Sequence, residues 1–261
     1  MKIEFLTQDD PVYILPFFDE FFRNYYDRFE ISGVFCSRTM GDRRRLQLLK
    51  ELLSLYGLTG FVRLVGRAIL ARLLGKFSAS KQSQSFHSLK QLCRTFDVPY
   101  SRMMNPNDAE FVSEVKRRGA DMIVSVACPH ILKAPILSVP PKGCINIHCA
   151  PLPNYKGMMP TFWQMFHGER SVGLTIHYMV PKVDEGAALL QELLEIQPNE
   201  TLDHLIRRSK RHSAHCMARV LGEIEAGSAK PTVLDDLEGS YFTFPTFVQI
   251  REFQRKGFKA I

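Results

Sequence analysis

Two residues apart on one stretch of chain, Asn146 and His148 lead the run Asn146-Ile147-His148-Cys149-Ala150-Pro151-Leu152-Pro153-Asn154-Tyr155-Lys156-Gly157, and Asp184-Glu185-Gly186 follows 27 residues later. An asparagine amide can donate an N–H to an oxyanion forming on a carbonyl carbon under attack, worth roughly 3 kcal/mol in comparable sites. An imidazole two positions along a strand faces the same way, so His148 can support that oxygen or relay a proton. A carboxylate such as Asp184 can orient the imidazole and position water for proton shuttling. Cys149 is not read as a nucleophile, because neighbours in a strand point to opposite faces.

These groups need elements to hold them, and hydrophobic periodicity supplies the outline. Residues 2–7 read as a buried strand, Pro11 opens an aromatic-rich helix to about Tyr26, and 31–36 is a second strand. Two helical stretches separated by Gly57 and Gly60 fill 42–77, followed by a polar linker at 78–85, a helix at 86–96 and a short strand at 98–103. Asn105-Pro106-Asn107-Asp108 starts a helix over 109–118, with Gly119 as its stop. Residues 122–127 are apolar on both faces, as a central parallel strand should be. Strands at 144–148, 174–178 and 188–195 and a long helix at 201–226 complete the alternation of an open, mostly parallel α/β sheet. In such sheets ligands bind beyond the carboxyl ends of the strands, where Asn146 and His148 fall.

Composition narrows the class. With 45% hydrophobic residues, 261 residues can bury one sizeable core. The start of the chain reads as a strand instead of a signal peptide, and no run of about 18 uncharged apolar residues occurs, so a cytoplasmic location is expected. Six cysteines (Cys36, Cys93, Cys128, Cys144, Cys149, Cys216) show no C-x-x-C pair and no metal-ligand spacing, so reduced thiols and no metal are expected. The net charge of +7 is local: residues 42–81 hold nine basic side chains (Arg43, Arg44, Arg45, Lys50, Arg63, Arg67, Arg72, Lys76, Lys81) against Asp42 and Glu51. The rest of the chain is formally neutral, which argues against a domain that binds nucleic acid throughout.

The Asn-x-His pair, the Leu-Pro-x-Tyr-x-Gly turn and the Asp-x-Gly loop, at this spacing, resemble the folate-dependent formyltransferase family. That family includes sugar N-formyltransferases, glycinamide ribonucleotide transformylase and the catalytic domain of methionyl-tRNA formyltransferase. The resemblance implies a Rossmann-like sheet of the formyltransferase type over residues 1–226, with a basic helical insertion at 42–82 and a short extension at 227–261 packed on the main domain. It implies N10-formyltetrahydrofolate as formyl donor and a primary amine as acceptor, with Asn146, His148 and Asp184 catalytic. Pro129, His130, Ile131, Leu132, Val183 and Asp184 would line the pterin site. Gln8, Asp9, Asp10, Tyr155, Lys156, Gly157, Met158, Pro160 and His177 would face the acceptor, with Thr175 also matching the family strand.

Two departures separate this chain from the family pattern. Ala150 and Pro151 stand where a serine and a leucine are usual, and Thr7-Gln8-Asp9-Asp10-Pro11 replaces the Gly-rich phosphate loop of glycinamide ribonucleotide transformylase. Carboxylates at a helix start repel a phosphate, and helix capping is their ordinary role. The tail is too short for the RNA-binding domain of tRNA formyltransferases, so nucleic acid is not the expected partner. The expected acceptor is a nucleotide-linked amino sugar. A lipid-linked sugar, a small metabolite, methionyl-tRNA or water, as in a formyl-folate hydrolase, are the alternatives. For the insertion the expectation is two helices packed on the main domain or on a second subunit, with Val62, Ile69, Leu73 and Phe77 buried. A peripheral membrane contact through 58–77 is the competing reading, because Arg63, Arg67, Arg72 and Lys76 flank that stripe as snorkelling residues do.

Overall fold

A computed structural model describes residues 1–37, 45–234 and 239–261. In chain order the elements are β1 (Lys2–Gln8), α1 (Leu15–Tyr25), β2 (Glu30–Ser37), α2 (Arg45–Leu74), α3 (Leu89–Thr95), β3 (Tyr100–Arg102), α4 (Ala109–Arg118), β4 (Met122–Val126), α5 (Ala134–Leu137), β5 (Cys144–His148), β6 (Lys156–Gly157), α6 (Pro160–Phe166), β7 (Ser171–Tyr178), β8 (Ala188–Glu195), α7 (Leu202–Glu225), β9 (Tyr241–Phe242) and α8 (Phe247–Arg255). Seven strands form one sheet in the order β3-β2-β1-β4-β5-β7-β8. From β3 to β5 neighbouring strands are parallel, whereas β7 runs antiparallel to both β5 and β8. The order reverses beside β1, where the chain leaves for β2 and β3 on one side and returns through β4 to the other, and such a reversal opens a crevice at the strand ends.

One face of the sheet is closed by α1 and α7. Phe17, Phe18, Phe21 and Phe22 of α1 are buried, and Phe5 of β1 meets three of them with ring centroids 5.3 to 6.4 Å apart. Each ring removed from water is worth about 2–3 kcal/mol, which makes this aromatic cluster the main anchor of the helix on the sheet. Ile145, Ile147 and Cys149 turn into the same core, so Asn146 and His148 face the other way. The Cys149 side chain is thus a core filler. Thr201 caps α7 by accepting from the His204 N–H at 3.2 Å.

Several expected boundaries move, each for a local reason. The aromatic helix begins at Leu15, not at Pro11, because the Asp10 carboxylate binds the backbone N–H groups of Val12 and Tyr13 and holds residues 11–14 as turns. The helix expected over 86–96 is shortened to α3, since Ser88 stays extended as its cap and accepts from Gln91 N–H. In the insertion only Gly57 breaks the helix (φ 64, ψ 177), and Gly60 lies inside it. A Cβ at Gly60 would stand 2.7 Å from Ile261 Cγ2, so glycine there lets the last residue of the chain approach. Asp42, Arg43 and Arg44 of the basic segment lie outside the described residues.

Against the main domain, the burial expected for the insertion is reversed. Val62, Ile69, Leu73 and Phe77 are 62%, 52%, 52% and 67% exposed, while Leu55, Tyr56 and Leu64 are buried. Those three join a second core with Phe162, Leu202, Ile250, Phe253 and Ala260. Both sides of this helix are apolar, so periodicity alone could not choose between them, and the surface offered by α8 and the chain end decides it. The residues after α7 also return to the main body: β9 pairs in parallel with β6, and Phe253 stacks on Phe162 at 4.7 Å.

Candidate active site

The site is assembled where β5 ends, on the face away from the aromatic core. The antiparallel register sets Asn146 opposite His177 and His148 opposite Thr175. Asn146 Nδ2 lies 3.2 Å from His177 Nε2, and His177 Nδ1 lies 2.8 Å from the carbonyl oxygen of Tyr178. A carbonyl only accepts, so Nδ1 carries the proton of the neutral ring and Nε2 accepts from Asn146. Burial pushes the His177 imidazole below its ordinary value, against the pull of the Tyr178 carbonyl and Asp184, and His148 lowers it further. The neutral form this favours directs one Asn146 N–H at His177 and leaves the second for another acceptor.

His148 is buried and fixed from the other side. Its Nε2–H donates to the Tyr155 carbonyl at 2.9 Å, and its Nδ1 faces Asp184 Oδ2 at 3.6 Å. Asp184 Oδ1 lies 3.7 Å from His177 Nε2, so one carboxylate stands between two imidazoles. These separations are ion-pair distances, too long for direct hydrogen bonds. Asp184 itself is held by the Gly157 N–H at 3.2 Å, in a left-handed backbone conformation with φ 55. The loop carrying it must fold back tightly on β7, and Gly186 permits this: a Cβ there would stand 1.7 Å from Tyr178 O. In chemical terms the cluster offers an amide donor, an imidazole and a carboxylate converging within one small volume.

The other expected site residues divide by what they touch. Of the stretch expected to face an acceptor, Tyr155 and Gly157 hold His148 and Asp184 through backbone groups, and the Tyr155 hydroxyl donates to Glu169 at 2.7 Å. Lys156 is buried with its Nζ 3.7 Å from Glu185, Met158 N–H donates to Phe242 O, and Pro160 opens α6. This stretch therefore positions the site from below. Asp10 spends one carboxylate oxygen on the Val12 and Tyr13 amides, while Gln8 ends β1 and Asp9 N–H donates to Ser37 O. On the segment after β4, Leu132 is 1% exposed and belongs to the core, leaving only its backbone for a ligand, whereas Ile131 is 60% exposed. Asn107 ties that segment to the start of α4 by donating to Ile131 O and accepting from Lys133 N–H. Pro129 and His130 lie on the same segment, and Val183 is partly exposed beside Asp184.

Three positioning residues, Gln164, Gln191 and Ser240, escape a motif search, and they act beside Thr175, which the family strand already marks. Thr175 Oγ1 donates to Ala150 O at 2.7 Å and accepts from Leu152 N–H, clamping the turn that contains the cis Leu152–Pro153 bond. Gln191 of β8 reaches Leu152 O at 2.6 Å, and Gln164 of α6 links Cys149 O, Pro160 O and Gly173 N–H. Ser240 accepts from Tyr155 N–H at 2.8 Å and so connects the tail to the same turn. A glutamine amid the apolar run of α6 is the available signal for Gln164, since buried amides are retained where they satisfy backbone groups.

This fold and this cluster define a class of protein, and comparison with known proteins agrees with it. The family model described as formyl transferase matches residues 58–221, and the chain belongs to that family. It is 33% identical over 153 residues to a methionyl-tRNA formyltransferase of Clostridioides difficile (strain 630), a match covering 59% of this chain and 50% of that protein. The chain spans about half the length of the curated relatives it matches. Among solved structures it is similar to phosphoribosylglycinamide formyltransferase from Anaplasma phagocytophilum (TM-score 0.61, 16% identity, 93% of this chain and 98% of that one). It is likewise similar to a sugar N-formyltransferase from Shewanella sp FDAARGOS_354 (TM-score 0.56, 16% identity, 93% and 76%). At such identities these two likenesses concern the fold.

Proposed function

We propose that this chain transfers the formyl group of N10-formyltetrahydrofolate to a primary amine, carried by a nucleotide-linked amino sugar. The observation that supports this most is the convergence of Asn146, His148, His177 and Asp184 at the end of β5, within hydrogen-bond or ion-pair reach of one another. The donor suits the site: Ile131 and Val183 offer apolar side chains to a flat ring, and the backbone after β4 offers polar groups to its edge. When bound, it supplies an activated formyl group on nitrogen. The free N–H of Asn146 donates to the formyl oxygen as charge develops there. At Nδ1 His148 accepts a proton from the attacking nitrogen and returns it to the leaving one, while the Tyr155 carbonyl fixes the ring through Nε2–H and Asp184 faces Nδ1 at 3.6 Å. Asp10 argues for an amine acceptor over a phosphate at the turn after β1, because its carboxylate already uses the amides a phosphate would seek.

A second acceptor, methionyl-tRNA, is favoured by the curated relatives and belongs in the same test. The protein is incubated with the formyl donor and a panel of nucleotide amino sugars, amino-sugar lipids and methionyl-tRNA. The expected result is a mass gain of one formyl group on a sugar amine. Asn146→Ala, His148→Ala and Asp184→Ala should each reduce turnover by about two orders of magnitude with the fold intact. Release of formate with no acceptor consumed would replace transfer by hydrolysis, and near-normal rates in all three variants would remove the mechanism.

A further inference from the structure

The outer face of α2 is an apolar stripe that no other part of the chain covers among the described residues. With about 100° of turn per residue, Leu58, Val62, Val65, Ile69, Leu70 and Leu73 fall within an arc of roughly 140°. All six are between 37% and 71% exposed. Arg72 borders this arc on one side and Arg63 on the other, both exposed, and Lys76 and Phe77 lie exposed just past the helix end. None of Arg63, Arg72 and Lys76 has an ion-pair partner among the described residues. By contrast Arg67, on the inner side, is paired with Asp203 at 2.9 Å and helps fasten the helix to α7.

We propose that this chain docks on an anionic phospholipid bilayer through the outer face of α2. Its aliphatic residues would enter the acyl boundary, and Arg63, Arg72 and Lys76 would reach the headgroups. Long basic side chains at the edges of an apolar stripe reach back to phosphates while their stems stay in the apolar layer. The charge pattern selects this occupant over a second copy of the chain. Between residues 52 and 77 there is no Asp or Glu, so two such faces in contact would set cation against cation without a counter-charge. Leu46–Leu74 is long and apolar enough to cross a membrane by length and composition, and its most apolar 18-residue stretch has a mean hydropathy of 1.3. The packing favours lying flat: Leu55, Tyr56 and Leu64 are sealed against the body, and a helix fastened along one side cannot be surrounded by lipid. The docked helix also adjoins the loop after β1, since Tyr56 just before the kink shares a 2.7 Å hydrogen bond with the hydroxyl of Tyr13.

The test uses the purified full chain and extruded vesicles of phosphatidylcholine with or without phosphatidylglycerol, read by co-sedimentation. It is independent of the formyl-transfer reading because no turnover is measured. Binding should appear on the anionic vesicles and weaken with added salt. Each basic side chain at an anionic surface is worth roughly fivefold in partitioning, so Arg63→Glu with Arg72→Glu should lower it at least about twentyfold. Ile69→Asp with Leu73→Asp should abolish binding while leaving the thermal midpoint unchanged, as expected for exposed positions. A tryptophan placed by Leu70→Trp should shift its emission to the blue only with anionic vesicles. A folded protein that ignores phosphatidylglycerol vesicles overturns the proposal. So does a lipid-independent dimer that Leu73→Asp splits, which would assign the face to a second copy.

Discussion

His177 gives the site its most specific residue-scale prediction. Its buried ring is held neutral, its Nε2 accepts from Asn146 and its Nδ1–H donates to Tyr178 O. The folded value is depressed below the ordinary 6.5, so unfolded chain binds the proton more tightly than folded chain does. The corresponding stability is complete above the unfolded value and is lost as the pH falls through the lower folded one. Urea midpoints should therefore decline on acidification below about 6.5, and His177→Asn should flatten that decline. Protonation also turns Nε2 into a donor facing the Asn146 amide, so turnover should fall at the lower pH where the folded ring takes up its proton. Equal pH profiles of stability for wild type and His177→Asn would refute the assignment.

The elements around the site show which of its geometry is written locally. β5, β8 and α4 fall where alternation, apolar runs and the Gly119 stop place them, because those signals lie within each segment. Asn146 and His148 are legible for the same reason: two residues apart on a strand share a face. The pairing of Asn146 with His177 is not, since it needs the antiparallel register of β5 and β7. Nor does a motif reveal that residues 155–157 hold His148 and Asp184 by backbone groups, since the Tyr155 carbonyl meets His148 only through the path of the intervening turn, and Gly157 meets Asp184 across 27 residues. Which face of α2 is buried is not legible either, because apolar residues surround that helix and only the tertiary partner distinguishes the sides. At this scale Gly186→Ala is the informative change. Its Cβ would meet Tyr178 O, and relief by moving the loop would carry Asp184 away from both imidazoles. A loss of about 1–3 kcal/mol is expected in chemical denaturation, with a fall in turnover much larger than that loss predicts at temperatures where the variant remains folded. An active Gly186→Ala enzyme would show that the placement of Asp184 does not depend on this turn.

At the scale of the molecule, the second core joins parts of the chain that are far apart in sequence. Phe253 of α8 is fully buried, stacks on Phe162 of α6 and lies 5.1 Å from the Phe258 ring. Leu64 of α2 and Ala260 belong to the same cluster, so α8 is the piece against which the insertion closes. The tail also reaches the site, because Ser240 and β9 brace the turn that carries Tyr155, whose carbonyl holds His148. Removing the Phe253 ring should cost about 3–5 kcal/mol, the usual range for an aromatic deleted from a core. Because the cavity would open between α6, α8 and α2, the loss should not stay local. Hydrogen exchange in Phe253→Ala should accelerate first in α2 and in residues 239–258, before α1 and β1, which rest on the separate aromatic core. Uniform acceleration across both cores would mean that the molecule unfolds as one unit and that α2 is no more loosely held than the sheet.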